Sequence, residues 1–171
     1  MTKNIILTLI LTLSFMFYSA NAYAAKPSPK KWTEQCGEDK NNCLAMVQKN
    51  NDKKETIAVI YIRMGEVTVE EKKQISPILF INLPLNQDLS KKPKVVIDGD
   101  VENSSLDITF THCNAAEGCV ASAILSDKGI ELLKGGDKVG VLFQVMGQKD
   151  VLQMDFPLKG FTKAYTKILE K

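Results

Sequence analysis

The side chains best suited to chemistry in this sequence are four cysteines and the single histidine, His112. Cys36 and Cys43 are seven positions apart, and Cys113 and Cys119 are six positions apart. A zinc knuckle usually places two ligands about two to four residues apart, and a redox-active pair usually has the spacing Cys-x-x-Cys. Neither spacing occurs here, so the sequence predicts disulfides, no bound metal ion and no redox-active pair.

Two local disulfides are the favoured pairing, although four cysteines allow three connectivities. The segment between Cys36 and Cys43 and the segment between Cys113 and Cys119 are rich in Gly, Asn, Asp and Glu. Gly, Asn and Asp turn easily, so each segment can close a short loop. We therefore predict the disulfides Cys36–Cys43 and Cys113–Cys119, with a structural role.

Catalytic groups are hard to assemble from the remaining residues. A Ser-His-Asp triad would have to be built on His112, whose place beside Cys113 at a predicted strand end favours a surface or loop histidine. The glycine pair in segment 134–137 lacks the spacing of a phosphate-binding loop or a dinucleotide fingerprint. The sequence therefore predicts no catalytic residue, no cofactor and no enzyme activity, with a hydrolase of unrecognised type as a minor alternative.

An acidic stretch offers the oxygen ligands that calcium prefers. It contains Asp98, Asp100, Glu102 and Asp107. A calcium loop alternates its ligands regularly, and this stretch does not. We predict a solvated acidic face and no metal site.

The first residues are typical of a secretory signal peptide. Lys3 precedes an apolar run at positions 5–17, and small residues allow cleavage after Ala22, Ala24 or Ala25, of which Ala24 is favoured. The run is shorter than the roughly 20 residues that cross a bilayer, which argues against an uncleaved anchor. We predict a signal peptide at 1–24, a flexible leader at 25–31 and one β domain at 32–171. The mature chain should contain no transmembrane segment and should reside in the periplasm, outside the cell or on its surface.

The charge balance argues against nucleic-acid binding. The formal net charge is only +2, and Arg63 is the sole arginine among 22 basic residues. Lysine lacks the planar fork that contacts phosphates and guanine edges in a bidentate way. We therefore expect no nucleic-acid partner.

Most of the mature chain consists of short segments rich in Val, Ile, Leu and Phe, separated by turn residues, which is typical of β-strands. The turn at 147–150 joins two such segments in a predicted antiparallel hairpin. Many short strands with frequent turns predict an all-β antiparallel sandwich or barrel-like domain. The predicted strands are 43–48, 57–64, 77–83, 94–98, 105–110, 120–125, 138–146 and 151–156.

Two short helices complete the predicted fold. Ser126 can cap a helix at 127–134, which Gly135 would end. Thr162 can cap a C-terminal helix in which Tyr165, Ile168 and Leu169 belong to an apolar stripe. Both helices are expected to pack on the core.

The order of several motifs resembles the invasion-associated locus B family over nearly the whole mature chain, from about Trp32 to Leu169. The most specific motifs are the paired cysteines ending in Gly-Cys-Val-Ala and the closing Leu-Lys-Gly-Phe-Thr-x-Ala. The resemblance implies a secreted or periplasmic β-rich protein of Gram-negative bacteria, associated in some pathogens with entry into host cells. That family offers no catalytic residues to carry over. The matching features are Trp32, Cys36, Cys43, Asp98-Gly99, Phe110-Thr111-His112-Cys113, Gly118-Cys119-Val120-Ala121 and Phe156-Pro157-Leu158-Lys159-Gly160-Phe161-Thr162-Lys163-Ala164.

Two functions follow as hypotheses. The first is a non-enzymatic periplasmic or surface protein that contributes to host-cell association or invasion by binding a protein or host-surface partner of unknown identity. The second is a housekeeping binding or chaperone-like module of the envelope. An exposed apolar or aromatic surface would favour the first, and a deep polar pocket would favour the second or an enzyme.

Overall fold

Ten β-strands and two α-helices are formed by the residues that this computed structural model describes, 30–38 and 42–170. The predicted signal peptide and most of the predicted leader lie outside the described residues. The elements are β1 (Thr33–Cys36), β2 (Cys43–Asn50), β3 (Thr56–Val69), β4 (Lys72–Leu83), β5 (Lys94–Ile97), β6 (Asp100–Asp107), β7 (Thr109–Asn114), β8 (Gly118–Ile124), α1 (Asp127–Gly135), β9 (Lys138–Gln144), β10 (Val151–Pro157) and α2 (Phe161–Leu169).

The strands form two antiparallel sheets. One has six strands in the order β1-β2-β3-β4-β8-β7, and the other has four in the order β10-β9-β5-β6. The predicted hairpin is present as β9 paired with β10. These sheets and the two helices confirm the predicted all-β class and its sandwich form.

Side-chain alternation explains how the six-stranded sheet makes its half of the core. Along β3, Ala58, Ile60 and Ile62 are buried, while the residues between them are more exposed. Successive side chains of a strand point to opposite faces, so these three lie on the side that meets the rest of the core. Leu79 and Ile81 of β4 continue the same buried layer.

The predicted strand at 105–110 is wrong as a single element. The chain leaves the four-stranded sheet after Asp107 and joins the six-stranded sheet at Thr109, with Ile108 buried between the two. The alternation of apolar residues continues through this crossing, because the core side of both sheets faces the same interior. The sequence pattern therefore gives no indication that the chain changes from one sheet to the other at Ile108.

Both helices are where they were predicted, with one cap corrected. Ser126 caps α1 by accepting a hydrogen bond from the Gly129 amide at 3.2 Å. The residue that caps α2 is Gly160 and not Thr162, because Gly160 has a φ of 83° and Phe161 is already helical. Leu169 is 52% exposed, which corrects its place in the apolar stripe. Leu169 is the last residue of α2, and the buried residues of this helix are Phe161, Ala164, Tyr165 and Ile168.

Trp32 ties the start of the domain to its end. Its indole Nε1 donates to the Pro157 carbonyl at 2.9 Å, and its backbone amide donates to the Lys159 carbonyl at 2.9 Å. The ring packs edge-on against Phe161, with centroids 4.9 Å apart. The N-terminal strand and the C-terminal helix are therefore parts of one core.

Candidate functional site

The four cysteines come together in the two predicted pairs, Cys36–Cys43 and Cys113–Cys119. In each pair the two residues lie directly opposite one another on neighbouring antiparallel strands, with Cα atoms 3.9 Å and 4.0 Å apart. The first pair joins β1 to β2 and the second joins β7 to β8. Because β1 and β7 are the two edges of the six-stranded sheet, each disulfide fastens an edge strand to its one neighbour.

We expect each disulfide to contribute similarly to stability. Replacing both cysteines of one pair with serine should lower the free energy of unfolding by about 2 kcal/mol, because each closes a loop of similar length in the chain-entropy model. Urea denaturation of the oxidised protein and of each double variant measures this, and non-reducing peptide mapping checks the pairing. Unchanged stability after removal of either pair would contradict a structural role.

His112 lies on the exposed surface of the β7–β8 hairpin. Its Nε2 is 2.9 Å from Glu117 Oε2, and its Nδ1 is 3.2 Å from the Thr111 hydroxyl. That hydroxyl also donates to the Val120 carbonyl at 3.1 Å. The His112 and Asn114 hydrogen bonds hold the pKa of Glu117 below its usual value. This arrangement orders the turn between β7 and β8.

Three of the four acidic residues considered for calcium, Asp98, Asp100 and Asp107, have carboxylates with separate neighbours. Asp98 accepts hydrogen bonds from the backbone amides of Asp137 and Lys138, at 3.0 Å and 2.9 Å. Asp100 accepts from the Asn103 amide, which lowers its pKa, and Asp107 lies 3.6 Å from a lysine ammonium group. The carboxylates thus support turns and one surface ion pair. The absence of a metal site stays a prediction.

In the described part of the chain, one cluster brings three metal-ligating groups within 4.8 Å of one another: Glu34, Cys36 and Cys43. The two sulfurs are bonded to each other, and the Glu34 carboxylate pairs with Lys167 at 2.9 Å. A disulfide sulfur is a poor substitute for the thiolate that binds metals. The proximity of these three groups is therefore explained by the disulfide and the ion pair.

The surface most suited to binding is the outer side of the six-stranded sheet, which we name the aromatic face. Directly opposed residues of neighbouring strands lie on one side of a sheet, so the register defines its members. Arg63 is exposed, and Ile124 is 53% exposed. We give the name to the apolar and cationic members of that side, of which Met46 is buried: Leu44, Met46, Val59, Tyr61, Arg63, Ile78, Phe80 and Ile124.

Three side chains form the centre of the aromatic face. The Tyr61 and Phe80 rings are stacked, with centroids 5.0 Å apart and planes 10° apart. The Arg63 guanidinium lies 4.9 Å from the Phe80 centroid, in a cation–π arrangement. Burial raises the pKa of Tyr61; Arg63 opposes this effect and Glu117 adds to it. The centre therefore combines flat apolar rings with a cation whose donors are not used in an ion pair among the described residues.

A groove of about 520 Å³ adjoins the aromatic face, lined by residues 56–59, 82–84 and 116–118. Asn82 Oδ1 is buried there and has no hydrogen-bond partner among the described residues. The Glu117 carboxylate lines the same groove. A free carbonyl oxygen and a carboxylate suit a ligand group that donates hydrogen bonds.

This surface was not among the features predicted from the sequence, although a signal was present. Residues 57–62 of β3 are apolar at every position, and so are residues 77–81 of β4. A strand with one solvated face usually alternates apolar and polar residues, so continuous apolar runs indicate a second apolar face.

The comparisons with known proteins decide the family. The family model described as Invasion associated locus B (IalB) protein matches residues 32–169. The chain belongs to this family. The IalB match begins at Trp32 and ends in α2, so it includes both sheets, both disulfide-bonded hairpins and the aromatic face. Searches of curated proteins and of solved structures gave no match.

Neither helix in the described residues has the length and apolar character needed to cross a membrane.

Proposed function

We propose that this IalB-family protein is exported and acts without catalysis, by binding a protein partner through the aromatic face and thereby contributing to host-cell association. The carrying observation is the stacked Tyr61–Phe80 pair with Arg63 above it. Tyrosine and arginine are enriched among the few residues that dominate binding energy at protein interfaces. The neighbouring aliphatic side chains provide area that a partner can remove from water.

The disulfides and the family support an extracytoplasmic location. Disulfides persist in oxidising compartments and are rare in the cytosol. Both pairs fasten sheet edges, so they suit a domain that must stay folded outside the cell. The solvent exposure of His112 and the engaged Thr111 hydroxyl support a role in binding over a role in hydrolysis.

The test is a binding titration of labelled mature protein on cultured host cells. Arg63→Glu reverses the charge above Phe80 and should lower the affinity about 30-fold, the effect of losing one strong interface residue. The matched control is Val101→Glu, which adds a carboxylate at a 47% exposed position on β6 of the other sheet and should bind as the wild type does. Equal losses, or no loss in either variant, would reject the aromatic face as the binding surface.

Protease treatment of intact bacteria separates the host-facing role from an envelope role. Cleavage of the mature chain on intact cells supports contact with the host. A chain that is protected until the outer membrane is opened supports the alternative, a housekeeping binding or chaperone-like module of the periplasm.

A further inference from the structure

The distal parts of β3 and β4 project from the six-stranded sheet as a two-stranded ribbon. β2 pairs with β3 only as far as Arg63, and β8 pairs with β4 only from Ile78. Residues 65–76, which we name the arm, therefore pair only with one another among the described strands. A ribbon of two strands is marginally stable in water, and its edges present unpaired backbone amides and carbonyls.

The two edges of the arm differ in their side chains. The β4 edge contains Lys72 and Lys73, with Pro77 at its base. Lysine and proline on an edge strand discourage the addition of another strand. The β3 edge contains Val67, Thr68 and Val69, which are strong strand formers. The β3 edge is thus the one suited to strand addition.

We propose that two copies of this chain form a dimer by antiparallel pairing of their β3 arm segments, with Val67 of each copy on the two-fold axis. In this register Gly65 of one copy lies opposite Val69 of the other, and Glu66 lies opposite Thr68. Val67 and Val69 of both copies then share one side of a four-stranded sheet, because residues two apart on a strand point the same way.

Repulsion between carboxylates favours this register over the two registers whose axis lies one residue earlier or later. Glu66 is paired with Lys73 of its own copy at 2.8 Å, in an exposed ion pair that compensates only part of its charge. An axis through Glu66 would place two Glu66 carboxylates directly opposite each other, and an axis through Thr68 would place Glu66 opposite Glu70 of the second copy. Like charges directly opposite one another are destabilising. The axis through Val67 pairs no carboxylate with another and still uses the whole segment from Gly65 to Val69. The outer edges of the dimer would be the two lysine-bearing β4 edges, which limits growth beyond two copies.

Cysteine substitution tests the axis directly, since a residue on a two-fold axis meets its own copy. Val67 and Gln74 are opposed on the arm, so Val67→Cys and Gln74→Cys form a matched pair. Under mild oxidation the mature Val67→Cys protein should run as a disulfide-linked dimer on a non-reducing gel, and Gln74→Cys should remain a monomer. Equal cross-linking of both variants, or of neither, would overturn the proposal.

Sedimentation gives an independent measurement that needs no cross-link. The wild-type mature protein and Gln74→Lys should sediment with about twice the mass of Val67→Lys, whose charges would face each other on the axis. Circular dichroism checks that each variant is folded. A wild-type protein that stays monomeric at the highest soluble concentration would also overturn the proposal, whatever the variants do.

Discussion

Replacing Trp32 with alanine is expected to lower the free energy of unfolding by about 3–5 kcal/mol, the usual cost of truncating a large buried aromatic side chain. Trp32 is only 3% exposed, and it contacts the two parts of the chain that close the domain, the end of β10 and the start of α2. Its loss leaves a cavity beside Phe161 and leaves the Pro157 carbonyl without its indole donor. Urea denaturation followed by circular dichroism measures the change.

Two variants show where this energy arises. Trp32→Phe keeps an aromatic ring but has no N–H group, so it should lie between the wild type and Trp32→Ala. Val151→Ala removes an aliphatic side chain that is 63% exposed and should change stability by less than about 0.5 kcal/mol. A Trp32→Ala protein as stable as Val151→Ala would show that the two ends of the chain are not held together through this residue.

Replacing Gly118 with alanine should cost about 3 kcal/mol. Gly118 has a φ of +81°, a conformation that costs other residues roughly 1–2 kcal/mol. An added Cβ would also overlap the Leu83 carbonyl oxygen, which belongs to backbone and cannot turn away. Forcing extra atoms into a packed site costs roughly a further 1–3 kcal/mol. The turn must then shift, together with the β7–β8 hairpin that contains the Cys113–Cys119 disulfide.

Gly147→Ala is the matched control for this effect. Gly147 has nearly the same φ, +78°, but a Cβ there would have no neighbour within 4 Å. The control should therefore lose only the conformational part, about 1–2 kcal/mol. The difference between the two denaturation curves isolates the overlap with Leu83. Equal losses would mean that the β7–β8 turn moves away from β4 without cost.

Much of the local structure could be predicted because its causes are local. The cysteine pairs are hairpin neighbours, so their spacing along the chain already places them close in space. The Ser126 cap and the end of α1 depend on residues within one helical turn. The cap of α2 was missed because Gly160, with its positive φ, already occupies the position before the first helical residue.

The candidate site could not be predicted, because its side chains come from several strands whose order in the sheet cannot be read from the sequence. Tyr61 and Phe80 are separated by the length of the arm, and Ile124 reaches the same face only because β8 pairs with β4 and not with its sequence neighbour β9. The apolar runs in β3 and β4 indicate two apolar faces, but they do not say which face meets the core.

The amino-acid sequence by itself determined the antiparallel β class, the helices, the two disulfide-bonded hairpins and the likeness to the IalB family, since these rest on spacing and patterns within short segments. The tertiary structure decided that the chain changes sheets at Ile108, that β4 lies beside β8, and that the arm stands free of other described strands. Such features depend on packing between segments distant along the chain. That packing leaves Tyr61, Arg63 and Phe80 together on the outer side of the sheet.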